Sequence, residues 1–169
     1  MTETVTSPSG RVFVNGCHFD PDGGKLDKGT SRAVSRMLQT PGVLLIDLRV
    51  ASEVEEGRYP LLTLEVEGKE VQSCWMPSML DTVCNHIDQA ITTDLIPSCK
   101  TTPIVCYCGS GRRGALAAGR LHNRGYANVV NAGSVADMHR AIDYSKRQLR
   151  SPRGTGGASE ACEVGCTIA

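Results

Sequence analysis

The sequence predicts an α/β fold: one domain whose central, mostly parallel sheet of about five strands is covered by helices on both faces. Two continuous apolar runs, Val43-Leu44-Leu45-Ile46 and Ile104-Val105-Cys106-Tyr107, are too short for helices and typical of strands buried on both sides. Segments with apolar residues at helical spacing alternate with them, the pattern of a parallel sheet with helical crossovers. A length of 169 residues, 40% of them hydrophobic and 21% charged, suits one compact domain with tails, not two.

Residues 1–29 are rich in Gly, Pro and Asp and read as an N-terminal arm with one β-like stretch, Val12 to Val14, and a loop at Asp20-Pro21-Asp22-Gly23-Gly24. The domain proper is read as residues 30–150. Thr30 or Ser31 is a helix N-cap, Val34, Met37 and Leu38 form an apolar stripe, and Pro41-Gly42 stops the helix. The strand 43–47 follows. Alternation from Leu62 to Val71 around Glu67-Gly68 predicts an inserted hairpin at the sheet edge. Trp75-Met76-Pro77 reads as a short strand, and Leu80, Cys84, Ile87, Ile91 and Leu95 as a helix ending before Pro97. Then come a strand over 103–107, a Gly/Arg loop over 109–114, and a helix over 115–124 closed by Gly125. A strand over 128–132 and a helix over 136–149 complete the domain. Residues 151–169, with Gly, Ser and Pro but no apolar period, read as a flexible tail.

Composition excludes several classes of function. Eighteen basic and eighteen acidic residues cancel, so nothing in the overall charge calls for nucleic acid or a membrane surface. No apolar run approaches the roughly 20 residues of a membrane span, and the start lacks a secretory pattern, so a cytoplasmic location is expected. Eight cysteines without export imply reduced thiols; with no C-x-x-C pair and His18, His86, His122 and His139 scattered, no metal is expected. Cys74, Cys84 and Cys99 read as small buried or half-buried hydrophobes, and the histidines carry no role.

The informative segment is Cys106-Tyr107-Cys108-Gly109-Ser110-Gly111-Arg112-Arg113-Gly114. It stands where a strand ends and a helix begins, the usual ligand position of an open parallel sheet. Gly109, Gly111 and Gly114 let successive N–H groups converge as an anion nest, and the following helix adds its positive end. A cysteine there is stabilised as thiolate by those N–H groups and by Arg112 or Arg113, and its substrate should be an oxyanion. Two frames remain open. Cys108 to Arg113 spans six residues; Cys106 to Arg112 spans seven.

The chain resembles the rhodanese family over about residues 30–145. Three motifs carry the resemblance: Asp47-Leu48-Arg49 after the first strand with Glu53, Gly57 and Pro60; the six-residue loop from Cys108 to Arg113; and Gly125-Tyr126 with Asn128-Val129 and Ala132-Gly133. It departs at the inserted hairpin 62–71, at Ser134 in place of a second glycine, and at Met138 in place of a tryptophan. The resemblance implies sulfurtransfer without metal or organic cofactor. Cys108 would take sulfur from thiosulfate or a persulfide donor and pass it to a thiol, cyanide or protein-thiol acceptor. Arg113 would close the nest, and Gly109, Ser110, Gly111, Arg112 and Gly114 would bind the anion, with Arg112 reaching its distal charge.

Competing readings are an arsenate reductase or cysteine-based phosphatase using Cys106 and Arg112, with Asp81 after Trp75-Met76-Pro77 as a faint general-acid loop, or a non-catalytic binding module. Asp47 and Arg49 read as structural support that fixes loop position. The last four residues, Cys166-Thr167-Ile168-Ala169, match a C-a-a-X farnesylation pattern, with Cys162 and upstream basic residues as a second anchor; a chance match in a cysteine-rich chain stands beside the expectation of peripheral membrane attachment.

Overall fold

The computed structural model describes residues 4–6, 12–14, 17–19, 31–66 and 68–150. The expected flexible tail, Cys162 and Cys166 lie outside them. Near the N-terminus β1 (Thr4–Thr6), β2 (Val12–Val14) and β3 (Cys17–Phe19) form an antiparallel three-stranded sheet, so the stretch expected at Val12 to Val14 is its middle strand.

The main elements follow as α1 (Ser31–Leu38), β4 (Leu44–Asp47), α2 (Ala51–Glu55), β5 (Glu65–Val66), β6 (Lys69–Glu70), β7 (Gln72–Trp75), α3 (Val83–Thr92), β8 (Ile104–Cys108), α4 (Arg112–Asn123), β9 (Val129–Ser134) and α5 (Val135–Arg150). The central sheet has the order β7-β4-β8-β9, with every pairing parallel. It has four strands where about five were expected, because β5 and β6 pair only with each other. Leu62 and Leu64, just before β5, and Val66 within it nonetheless pack onto the domain core.

Strand alternation divides the core into two layers. Leu44, Ile46, Cys106 and Cys108 face Val83, Ile87, Leu116 and Leu121 of α3 and α4. Leu45, Val105 and Tyr107 face Val34 and Leu38 of α1 and Met138, Ala141 and Ile142 of α5. Both faces are covered, which is why β4 and β8 read as unbroken apolar runs. Met138 is fully buried in the second layer, so a flexible thioether fills that part of the core. No helix among the described residues is long and apolar enough to cross a membrane.

Several boundaries differ from the sequence expectation, each for a local reason. The strand expected at Trp75-Met76-Pro77 is instead Gln72–Trp75, because parallel register with β4 starts at Gln72 opposite Leu44 and Pro77 has no N–H for the ladder. Helix α3 is shorter than the Leu80-to-Leu95 stripe. Its buried positions are Val83, Ile87 and Ala90, Asp94 terminates it at φ 57°, and Leu80 and Leu95 are 45% and 49% exposed. Helix α4 starts at Arg112 instead of residue 115, so the loop is reduced to residues 109–111. At its other end Gly125 (φ 88°) closes a Schellman motif, its N–H donating to His122 O and that of Tyr126 to Leu121 O. Strand β8 runs one residue further than expected, through Cys108, and β9 runs two further, to Ser134. Ser134 and Asp137 cap α5 reciprocally: Asp137 N–H donates to the Ser134 hydroxyl oxygen, and the Asp137 carboxylate accepts from Ser134 N–H. Helix α2 was not expected, and Cys99 is exposed, not half-buried.

Candidate active site

The carboxyl ends of the three parallel strands β7, β4 and β8 bring the chemistry together. Cys108 is the last residue of the fully buried β8. The chain then turns through Gly109 and Ser110, and Gly111 adopts φ 92° as the N-cap of α4, a left-handed conformation that side-chain-bearing residues resist. This turn aims the Gly111 N–H at Cys108 Sγ, 2.9 Å away. Gly111 O accepts the first helical hydrogen bond from Ala115 N–H at 3.0 Å and a second from Asn131 Nδ2 at 3.2 Å. Asn131, buried in β9, also accepts the Gly133 N–H at 3.0 Å, so one amide ties the loop to the neighbouring strand. Gly114 is buried in the first turn of α4 against that same amide.

Arg113, in the first turn of α4, does not reach into open solvent. Its Nη1 and Nη2 form a two-pronged pair with Glu53 at 2.7 and 2.5 Å, and Nη1 also donates to Leu48 O at 2.9 Å and Ser78 O at 3.2 Å. One guanidinium therefore joins the start of α4, the segment after β4, helix α2 and the segment after β7. Its pKa is raised, first by the hydrogen bonds to Glu53 and, against burial, also by the charge and hydrogen bonding of Cys108. The Glu53 carboxyl is held below the usual range, chiefly by Arg113, although burial opposes this. The same carboxylate accepts the Val50 N–H at 2.9 Å, satisfying a free donor at the start of α2. Gly109 lies beside it: a Cβ there would sit 2.4 Å from Glu53 Oε1, so a side chain at this position would push the carboxylate out of its fork with Arg113.

Asp47 and Arg49 form a second pair one layer away. Arg49 Nη2 meets Asp47 Oδ2 at 2.7 Å with both side chains 1% exposed, and Arg49 Nη1 donates to Tyr59 O at 2.6 Å. Trp75 Nε1 donates to Arg49 O at 2.8 Å, linking the β7 end to the same corner. Burial is the strongest influence on the Arg49 pKa and opposes its charge, but the hydrogen bond and charge of Asp47 leave the pKa raised.

The loop stands between two clefts. One, of about 420 Å³, is lined by Val50, Glu53, Met79, Leu80, Asp81, Ser110, Arg112 and Arg113. The other, of about 350 Å³, shares Glu53 and is otherwise lined by residues that include Arg49, Tyr59 and Gly109. Ser110 is exposed and Arg112 half-buried, whereas Cys108 is fully buried behind the loop. Cys106 is also fully buried, one pleat deeper on the same face of β8, packed in the layer with Ile46 and Leu116. Among the described residues no group of three or more His, Cys, Asp or Glu is arranged to hold a metal ion.

The structure thus brings together Cys108, Gly109, Ser110, Gly111, Arg112, Arg113 and Gly114, with Asp47 and Arg49 beneath. Sequence reasoning gave no site role to Glu53, Ser78 or Asn131. Glu53 had a signal in its place in the motif with Gly57 and Pro60 after the first strand, and Asn131 had one in being polar within the run Val129-Val130-Asn131-Ala132. Ser78 contributes a carbonyl oxygen, which no residue type announces.

A solution NMR structure of a rhodanese-like domain from Anabaena sp is 17% identical over 86% of this chain and 96% of that one, with a TM-score of 0.39. No curated protein matches the chain. The sequence profile of the rhodanese-like domain matches residues 30–136, which take in Asp47, Arg49, Glu53 and the whole loop from Cys108 to Gly114, and the chain accordingly belongs to the rhodanese-like domain family.

Proposed function

We propose that the protein is a sulfurtransferase that carries sulfane sulfur on Cys108. The observation that carries this reading is the position of the Cys108 sulfur at the end of β8, receiving the Gly111 N–H at 2.9 Å, beside an arginine whose pKa the same sulfur helps to raise. The Cys108 thiolate attacks the outer sulfur of thiosulfate or another persulfide donor. A new S–S bond forms to Cys108, the donor's S–S bond breaks, and its electron pair leaves with the oxyanion, sulfite in the case of thiosulfate. Charge on the sulfur is stabilised by the Gly111 N–H, the start of α4 and Arg113, all fixed before the reaction, so little reorganisation is needed. A thiol, cyanide or protein-thiol acceptor then removes the outer sulfur and restores the Cys108 thiolate. Arg112, at the rim of the larger cleft, attracts the distal charge of the donor.

The six-residue frame is favoured over the phosphatase or arsenate reductase frame because Cys106 is a mid-strand core residue, whereas Cys108 ends the strand and its sulfur receives the Gly111 N–H of the loop. Mass spectrometry after thiosulfate treatment tests this reading. One sulfur is expected on the Cys108 peptide, with transfer to cyanide abolished in Cys108→Ser and largely kept in Cys106→Ser. Phosphatase activity that depends on Cys106, or sulfur on Cys106 alone, would overturn it.

A further inference from the structure

We infer that His86 is a positioning residue for sulfur transfer, acting on Arg113 through Ser78. This deepens the sulfurtransfer reading and rests on it. The segment after β7 follows the end of β4: Met76 N–H donates to Asp47 O at 2.8 Å, and Ser78 N–H to Leu48 O at 3.4 Å. Leu48 O and Ser78 O then both accept from Arg113 Nη1. The place of Ser78 therefore sets one of the two carbonyls that aim the guanidinium. Ser78 is 2% exposed, and its hydroxyl oxygen lies 2.9 Å from Met76 O and 2.7 Å from His86 Nδ1.

A hydroxyl has one hydrogen, and Met76 O can only accept. The Ser78 hydroxyl thus donates to Met76 O, and His86 Nδ1 carries the proton that it donates to Ser78 Oγ. This direction excludes the other use of a close serine and histidine, in which the ring takes the hydroxyl proton and the serine becomes a nucleophile. The half-buried His86 sits in α3 between Val83 and Ile87, both fully buried, and its own N–H donates to Thr82 O at 3.0 Å. The core anchors the helix, the helix holds the imidazole, the imidazole holds the Ser78 hydroxyl, and the Ser78 carbonyl holds Arg113. Arg113 in turn interacts with Cys108 by charge and hydrogen bonding. The charge on that sulfur is lost when sulfur is taken up and regained when it is passed on, so a misplaced guanidinium slows transfer more than it weakens donor binding.

Long-range proton–nitrogen NMR of the imidazole at about pH 8 tests the bridge without turnover. The ring proton should sit on Nδ1, Ser78→Ala should move it toward Nε2, and His86→Phe should shift the Arg113 side-chain N–H signals. A proton on Nε2 in the native chain, or Arg113 signals unmoved by His86→Phe, would overturn the assignment whatever the activity. Transfer from thiosulfate to cyanide then separates the donor from the bulk of the ring. His86→Phe, a ring without a donor, should lower kcat about threefold to tenfold with little change in the thiosulfate KM, the scale of one neutral hydrogen bond. His86→Asn, smaller but with an amide N–H near the place of Nδ1, should restore most of that loss, whereas His86→Gln, whose amide lies one atom farther out, should not. A packing role would give the reverse order, with Phe better than Asn, and that result would overturn the inference. In an Arg113→Lys background His86→Phe should cost little more, since it acts through Arg113, and a fully additive loss would count against it equally. An Nδ1 proton and shifted Arg113 signals in a protein that puts no sulfur on Cys108 would uphold the brace on Arg113 and break the sulfurtransfer reading.

Discussion

Two arginine–carboxylate forks flank the end of β4, and they differ in their access to water. Asp47–Arg49 is dry, with both side chains 1% exposed, and Arg49 spends its remaining donors on the carbonyls of Tyr59 and Pro60. Glu53–Arg113 is wet at one edge, with Arg113 12% and Glu53 33% exposed, and it borders both clefts. A pair buried on all sides holds the chain in one arrangement, because separating it would leave an uncompensated charge in the core. A pair that lines a cleft can answer to what enters it. The same chemical unit is thus sealed in the core in one place and open to the clefts in the other.

That contrast sets the order of expected effects. The largest is on the dry fork: Arg49→Ala leaves Asp47 buried without its partner and should cost about 3–5 kcal/mol of stability, read as a fall in the urea midpoint. A loss below about 1 kcal/mol would show that this corner takes up water and that the two forks are alike.

The wet fork should break activity before stability. Arg113→Lys keeps the charge but not the planar fork that spans both Glu53 oxygens and two carbonyls, so kcat should fall about tenfold or more while the unfolding midpoint moves little. Combining it with Glu53→Gln should add little further loss, since both substitutions cut one interaction. Fully additive losses in the double variant would separate the roles of the two residues and remove the idea of a unit.

The smallest effect is one of pH. His139 stacks on Tyr59 with ring centroids 4.5 Å apart, beneath the loop that Arg49 holds, and its Nε2 is buried with no hydrogen-bond partner among the described residues. Burial lowers its pKa, and Arg49 and Lys146 add to this while Asp143 opposes it. The unfolded chain therefore takes up the proton first as pH falls. Stability from this group is complete above the ordinary histidine value of about 6.5 and declines below it, toward the folded value. Urea midpoints at pH 8 and 5.5 should differ more for the native chain than for His139→Phe, which keeps the stack. Equal differences would assign the acid sensitivity to other groups.

The apolar runs around β4 and β8 and the helical periods between them were enough for the layered α/β architecture, because burial on both faces leaves no alternation to misread. The ordered motifs Asp47-Leu48-Arg49 and Cys108 to Arg113 were enough for the family. What local pattern could not supply was register and reach. The boundaries of β7 and α3 depend on where β4 offers hydrogen bonds and on the left-handed turn at Asp94, and neither follows from periodicity. The role of Glu53 depends on meeting Arg113, sixty residues away, beside Gly109, where a Cβ would crowd the carboxylate. Spacing in the sequence marked out the loop from Cys106 to Gly114 at the end of a strand. The pairing of charges around it was decided by the parallel sheet, which brings the ends of β4, β7 and β8 to one edge although they are distant along the chain.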